Sequence, residues 1–243
     1  LYEQVLPDRI RVLGEDHPDT LTSRNNLAGA YHAAGHLTEA ITLYEQVLPD
    51  RIRVLGEDHP STLTSRNNLA HAYHTAGRLT KAITLYEQVL PDSTRILGED
   101  HPDTLTSRNN LAGAYLEAGR LTEAITLYEQ VLPDSTRILG ESHPSTLTSR
   151  NNLAGAYREA GRLTEAITLY EQVLTDRTRI LGNNHPSTLA SRNNLVAALL
   201  TAQRPAQAVE LLECLLEDCL RILGVDHSLT KTVGENLEEA RRE

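Results

Sequence analysis

The tetrad His-Pro-x-Thr stands at His17, His59, His101, His143 and His185, each 42 residues after the last. A sixth copy at His227 keeps the histidine but has Ser228 in place of proline. The text between these marks is nearly constant, so that Leu63 to Ala70 and Leu105 to Ala112 both read Leu-Thr-Ser-Arg-Asn-Asn-Leu-Ala. A fixed period of this size marks a stacked array, in which no repeat can bury its apolar face alone and neighbours complete one continuous core. Stacking displays each residue type as a row along the array. The functional question therefore moves from an active site to a surface.

The content of one period predicts two helices. Pro60 after His59 suits the first helical position, where a missing N–H costs nothing. Leu63, Leu69, Ala70, Tyr73 and Ala76 then recur at helical spacing. Gly77 is placed to end that helix in a left-handed cap. A second helix is expected from about Thr80 to Ile96-Leu97, with Leu79, Ala82, Ile83, Tyr86, Val89, Leu90 and Ile96 as its apolar stripe, and Gly98 stops it. Two antiparallel helices with short links form a helical hairpin. Pro7, Pro49, Pro91 and Pro133 fall inside the second helices, each followed by Asp, and a kink is expected there.

Composition narrows the function classes. The formal charge of −10 opposes binding to a phosphate backbone, whose affinity comes from Lys and Arg, and equally opposes an anionic membrane surface. No apolar run is long enough to span a bilayer, and no signal peptide is visible. Cys214 and Cys219 lie five apart in an expected helix and point in different directions; they are expected to be buried, reduced thiols in a cytoplasmic protein. The chain begins without Met, partway through a repeat at Leu1 to Leu6, and is expected to be a piece of a longer protein. Neither a phosphate loop, nor a zinc-protease motif, nor a nucleophile elbow occurs, so no enzyme activity and no cofactor are expected.

Leu69-Ala70, Tyr73, Ala82 and Tyr86 match the small-and-large signature of tetratricopeptide repeats. With the Leu-Gly-Glu-Asp-His-Pro connector and Asn67-Asn68-Leu69-Ala70, the chain resembles the 42-residue subclass found in kinesin light chains. Similar arrays occur at the C-terminal end of large bacterial signalling NTPases. One departure is that the family's bulky residue early in the first helix is replaced here by Arg24, Arg66, Arg108, Arg150 and Arg192.

The resemblance implies an all-α solenoid, a right-handed superhelix of helix-turn-helix repeats whose first helices line a concave groove. One array over 1–243 is expected, with a partial repeat at 1–13, full repeats at 17–58, 59–100, 101–142, 143–184 and 185–226, and a capping helix at 227–243.

On the groove floor, Thr64, Asn67, His71 and His74 share one helical stripe. Asn25, Asn67, Asn109, Asn151 and Asn193 would form a ladder there, flanked by Asn26, Asn68, Asn110, Asn152 and Asn194. An asparagine side chain both donates and accepts hydrogen bonds, so it can hold a peptide backbone of any sequence. In kinesin-light-chain-like arrays the matching asparagines hold an extended peptide. A purely structural bridge between adjacent helices is the other reading of the same residues. Selectivity would come from positions that differ between copies, among them His71, His74, Leu116, Glu117, Arg158 and Glu159.

The arginine row is expected to pack its stems and to meet acidic connector residues such as Glu57 or Asp58. The motif histidines, roughly 16–20 Å apart along a helix stack, cannot share a metal that needs bonds of about 2 Å, so no metal site is expected. The expected partner is a protein or extended peptide segment, not nucleic acid or membrane. The alternative is a spacer or self-association array, with Leu1, Tyr2, Val5 and Leu6 of the N-terminal helix as the exposed contact.

Overall fold

A computed structural model of the chain describes residues 2–242, Tyr2 by its backbone alone. Among these residues are twelve helices and no strand: α1 (Tyr2–Leu13), α2 (Pro18–Ala33), α3 (Leu37–Leu55), α4 (Pro60–Thr75), α5 (Leu79–Leu97), α6 (Pro102–Glu117), α7 (Leu121–Leu139), α8 (Pro144–Glu159), α9 (Leu163–Leu181), α10 (Pro186–Thr201), α11 (Pro205–Ile222) and α12 (Ser228–Ala240). The chain is an all-α solenoid of helix-turn-helix repeats. It divides into two compact units, residues 1–124 and 125–243, with the boundary inside α7.

In the first unit α2 packs on α3, α4 on α5, and each hairpin on the next, with α2, α4 and α6 side by side. In the second unit α8 packs on α9, α9 on α10, and α10 on α11, with α8 beside α10 and α12 against α11.

The connector motif works as a helix start. In α4 the Nδ1 of His59 accepts a hydrogen bond from the Ser61 amide at 3.1 Å, and Pro60 takes the first helical position. His17, His101, His143, His185 and His227 cap their helices in the same way. The imidazole thus does what Ser, Thr, Asp or Asn usually does at an N-cap.

The helix ends are equally regular. Gly77 adopts φ +70°, with Gly77 N–H donating to His74 C=O and Arg78 N–H to Tyr73 C=O, a Schellman closure. In α10 Gln203 holds the corresponding left-handed position at φ +55° without the freedom of glycine.

The core lies between the two helix layers. Tyr86, Tyr128, Leu63, Leu189, Val47, Val89, Val131 and Val173 are almost wholly buried. Helices α3, α5 and α7 run unbroken through Pro49, Pro91 and Pro133. The fully buried Val47, Val89 and Val131 just before each proline anchor those turns. Tertiary packing therefore offsets the lost backbone bond, which would cost about 3 kcal/mol in an isolated helix.

One expectation about the thiols is corrected. Cys219 is buried, but Cys214 is exposed, because the 100° turn per residue carries a position five residues earlier out of the α11 interface.

Candidate functional site

Each repeat is bonded to the next through polar pairs that recur in register. The Tyr31 hydroxyl donates to Glu3 at 2.6 Å, Tyr115 to Glu87 at 2.7 Å and Tyr157 to Glu129 at 2.8 Å, and Tyr73 donates to Glu45. Burial, reinforced by these carboxylate acceptors, pushes the phenols of Tyr73, Tyr115 and Tyr157 up to about 12. Arg120 and Arg162 stack over Tyr115 and Tyr157 at 4.1 and 3.9 Å.

The arginine row has a different main partner from the connector carboxylates expected of it. Arg24 pairs with Asp50 at 2.7 Å, Arg66 with Asp92 at 3.3 Å, Arg150 with Asp176 at 2.9 Å and Arg192 with Asp218 at 2.7 Å. Each of these aspartates lies in the second helix of the same repeat, and Asp50 and Asp92 directly follow the internal prolines. The Arg24 bond, opposed by burial, holds the Asp50 carboxyl below the usual carboxylate value. Glu57 lies farther from Arg66, at 3.9 Å, while Asp58 is taken by Arg95.

Asn25 is buried, and its Oδ1 accepts from the Ser65 hydroxyl at 2.9 Å; Asn67 accepts from Ser107 at 3.0 Å. Asn151 Oδ1 accepts from the Asn194 amide at 3.1 Å. The Oδ1 atoms of Asn109 and Asn193 are buried without a partner. The first asparagine of each pair therefore faces the seam between first helices more than open solvent.

The second asparagine is more open than the first only in the Asn25–Asn26 pair, and Asn194 itself bonds across the seam to Asn151. Asn26 is exposed, and Asn68, Asn110, Asn152 and Asn194 are half-buried. Asn68 sits beside an exposed line of Thr64, His71 and Thr75, and the matching line on the next first helix has exposed Thr106 and Glu117 with half-buried Gly113 between them. Positions along this line are free to change. At Gly29 and Gly155 an added Cβ would meet only a tyrosine hydroxyl, Tyr44 or Tyr170, at 3.4 Å.

His71 takes that position in its repeat and belongs to a histidine cluster that joins α2 and α4. The His32 and His71 rings are 4.9 Å apart and those of His71 and His74 6.4 Å apart. His32 Nε2 meets Thr75 Oγ1 at 3.0 Å. His74 Nε2 lies 3.1 Å from Glu117 Oε1, though not aligned for a hydrogen bond. Partial burial, then repulsion from His32 and His74, holds the His71 imidazole below its ordinary 6.5. Arg158, at the position of His74 four helices on, is half-buried and bonds Glu159 at 2.8 Å. Among the described residues no group of three or more His, Cys, Asp or Glu side chains is placed to hold a metal ion. Nor is any helix among them long and apolar enough to cross a membrane.

Sequence reasoning centred on the first helices and missed the variable residue two places after each internal proline or its counterpart Thr175 or Glu217. It reads Arg9, Arg51, Ser93, Ser135, Arg177 and Cys219. Its alternation was visible in the repeats, but what it faces was not. Arg51 is buried and donates to the Ser61 carbonyl at 2.6 Å, to Ser65 Oγ at 2.8 Å and to Thr22 Oγ1 at 3.3 Å.

A family model described as tetratricopeptide repeat matches residues 1–51, 38–92, 68–137, 115–177 and 145–221. No curated protein matches the sequence. Among solved structures, a kinesin light chain-like protein of Podosopora anserina with nearly identical TPR-like repeats is 38% identical, with 84% of this chain and 97% of that chain covered and a TM-score of 0.72. A single-substitution variant of it superposes with a TM-score of 0.74 at the same identity and coverage. BtubC (BKLC) from P. vanneervenii shares the fold at 22% identity, with 92% and 90% of the two chains covered and a TM-score of 0.77.

Proposed function

Since the chain belongs to the tetratricopeptide repeat family, whose members are generally protein-interaction modules, we propose that it is a non-enzymatic module that binds a protein or extended peptide segment on the face of its first helices. The observation that carries this reading is a division of labour. The tyrosine–glutamate and arginine–aspartate pairs recur from copy to copy, whereas the last turns of the first helices differ: exposed His71 and half-buried His74 in α4, half-buried Gly113 and Leu116 in α6, and half-buried Gly155 and Arg158 in α8. Variation on an accessible face is what selective binding requires. Beside that line stand Asn68, Asn110 and Asn152, whose side-chain amides can pair with the N–H and C=O of any backbone. Asn25, Asn67 and Asn151 contribute mainly by holding neighbouring first helices in register.

A peptide-library screen tests this. Replacing Asn68, Asn110 and Asn152 together by Ala should weaken every bound peptide to a similar degree, by about 1 kcal/mol per lost bond, with helicity unchanged. Replacing His74 or Arg158 should instead reorder the preferred sequences. If the triple variant binds every peptide as well as the parent does, the face is not the binding surface. The array is then a spacer or self-association element, a reading that the exposed Val12 and Leu13 of α1 would serve.

A further inference from the structure

At one junction of the first unit, the arrangement that receives an arginine elsewhere in the chain stands open. In three repeats the residue two places after the proline position is an arginine, and each guanidinium docks in the same way. Arg9 Nη1 meets the Asp19 carbonyl at 3.1 Å and Ser23 Oγ at 2.6 Å. Arg51 Nη1 meets the Ser61 carbonyl and Ser65 Oγ at 2.6 and 2.8 Å, and Arg177 meets the Ser187 carbonyl and Ser191 Oγ at 3.2 and 2.8 Å. In α5 the residue at this position is Ser93, while the receiving groups persist as Asp103 and Ser107. The side chain that is missing leaves a cavity of about 160 Å³, lined by Thr64, Asn67, Ser93, Asp103, Thr106 and Ser107 among others. That is room for several waters at roughly 30 Å³ each. Thr64 and Thr106 are exposed on the first-helix face, so the cavity adjoins the proposed binding surface.

We propose that this cavity is a guanidinium receptor, and that it takes an arginine side chain from the peptide bound on the first-helix face. The assignment of the arginine to a peptide rests on the binding reading above; the receptor chemistry does not. Arg51 supplies the template. Its guanidinium is buried among a carbonyl and hydroxyls with no carboxylate paired to it, and burial lowers its pKa. The Ser93 cavity presents the same carbonyl and hydroxyl, with Asp103 in the place that Asp19 holds at the Arg9 site. A planar fork of donors suits this set better than the point charge of an ammonium does. Ser107 is already placed, since its hydroxyl lies within hydrogen-bond distance of both Asn67 Oδ1 and the Asp103 carbonyl and, donating its one proton to either, keeps a lone pair for a guanidinium.

The test is an NMR titration of the whole chain with methylguanidinium and, separately, methylammonium, at concentrations that leave the helical circular dichroism unchanged. The expected result is a saturable shift of the Ser93, Asp103 and Ser107 amides, with methylguanidinium the tighter ligand. The variant Ser93→Arg fills the cavity with the residue that its sister repeats carry and should abolish the response. The variant Ser107→Ala, which removes one acceptor without filling the space, should weaken it. Arginine-bearing peptides should bind Ser93→Arg about tenfold less tightly, the change expected for one charge-assisted bond, while peptides without arginine keep their affinity. No shift, equal affinity for both cations, or a response that survives in Ser93→Arg would overturn the receptor. A receptor that binds methylguanidinium while arginine peptides ignore Ser93→Arg would overturn the peptide assignment. Failure of the binding reading alone would leave the methylguanidinium response intact, so the two failures are separable.

Discussion

The seams between repeats and the exposed line of the first helices are made from the same helices, yet they follow opposite rules. At the seams Tyr meets Glu of the preceding repeat and Ser meets Asn between first helices, and inside each hairpin Arg meets Asp. Along the exposed line the copies keep Thr and Asn in the early turns and differ in the last turns, at His71, His74 and Thr75 and their counterparts. A seam residue has to fit a neighbour that is itself a copy, so changing one side leaves a buried group unpaired. An exposed residue on the line, such as His71 or Thr75, has fewer neighbours to satisfy than a seam residue does. The array therefore keeps its register through one set of positions while the other set varies.

The sharpest way to break this comparison is to damage the interior that supports both regions. Tyr86 is wholly buried in α5, and Tyr86→Ala should cost about 3–5 kcal/mol, the range for deleting a large aromatic side chain from a core. Chemical denaturation measures it. Next comes the pair inside the hairpin. Asp92→Ala leaves the mostly buried Arg66 guanidinium without its principal partner and should cost about 1–3 kcal/mol. By contrast Leu116→Ala, on the variable side, should stay within about 1 kcal/mol while changing which peptides bind. Comparable losses of stability from Asp92→Ala and Leu116→Ala would erase the distinction between the regions.

The smallest expected effect is a pH dependence of the histidine cluster. His71 titrates below its ordinary 6.5 in the folded chain, because partial burial and the neighbouring His32 and His74 disfavour its charged form. The unfolded chain therefore takes up this proton first. Stability is unaffected above the unfolded value, falls as pH drops through about 6.5, and levels off below the folded value. His71→Ala should remove that part of the acid slope, seen as a smaller fall in melting temperature between about pH 7 and about pH 5. An identical slope in parent and variant would show that His71 is not the group responsible.

Much of this architecture was legible in the sequence because it depends on local rules. The 42-residue period, Pro60 at a helix start and Gly77 at a helix end predict α4 and α5 to within a few residues. What was not legible depends on register between helices. Arg66 reaches Asp92, 26 residues on, because α4 and α5 pack antiparallel at one particular offset, and no spacing rule within a helix supplies that offset. The asparagine pair posed the same difficulty. Asn67 and Asn68 both lie near the exposed line, and only the position of the neighbouring repeat sends the amide oxygen of Asn67 to Ser107. The cavity at Ser93 was hidden for a related reason, since the alternation of Arg51 and Ser93 has no meaning until Ser65 and Ser107 are seen to face it.

The claim that the first-helix face grips a peptide backbone is tested most directly by following the side-chain amide resonances of the asparagines while the tightest library peptide is added. The account predicts that the amides of Asn68, Asn110 and Asn152 shift in proportion to occupancy, with smaller changes at Asn67 and Asn151, whose oxygens are engaged at the seams. Binding that leaves all of these amides unmoved, or that shifts only residues on the second helices, would contradict it.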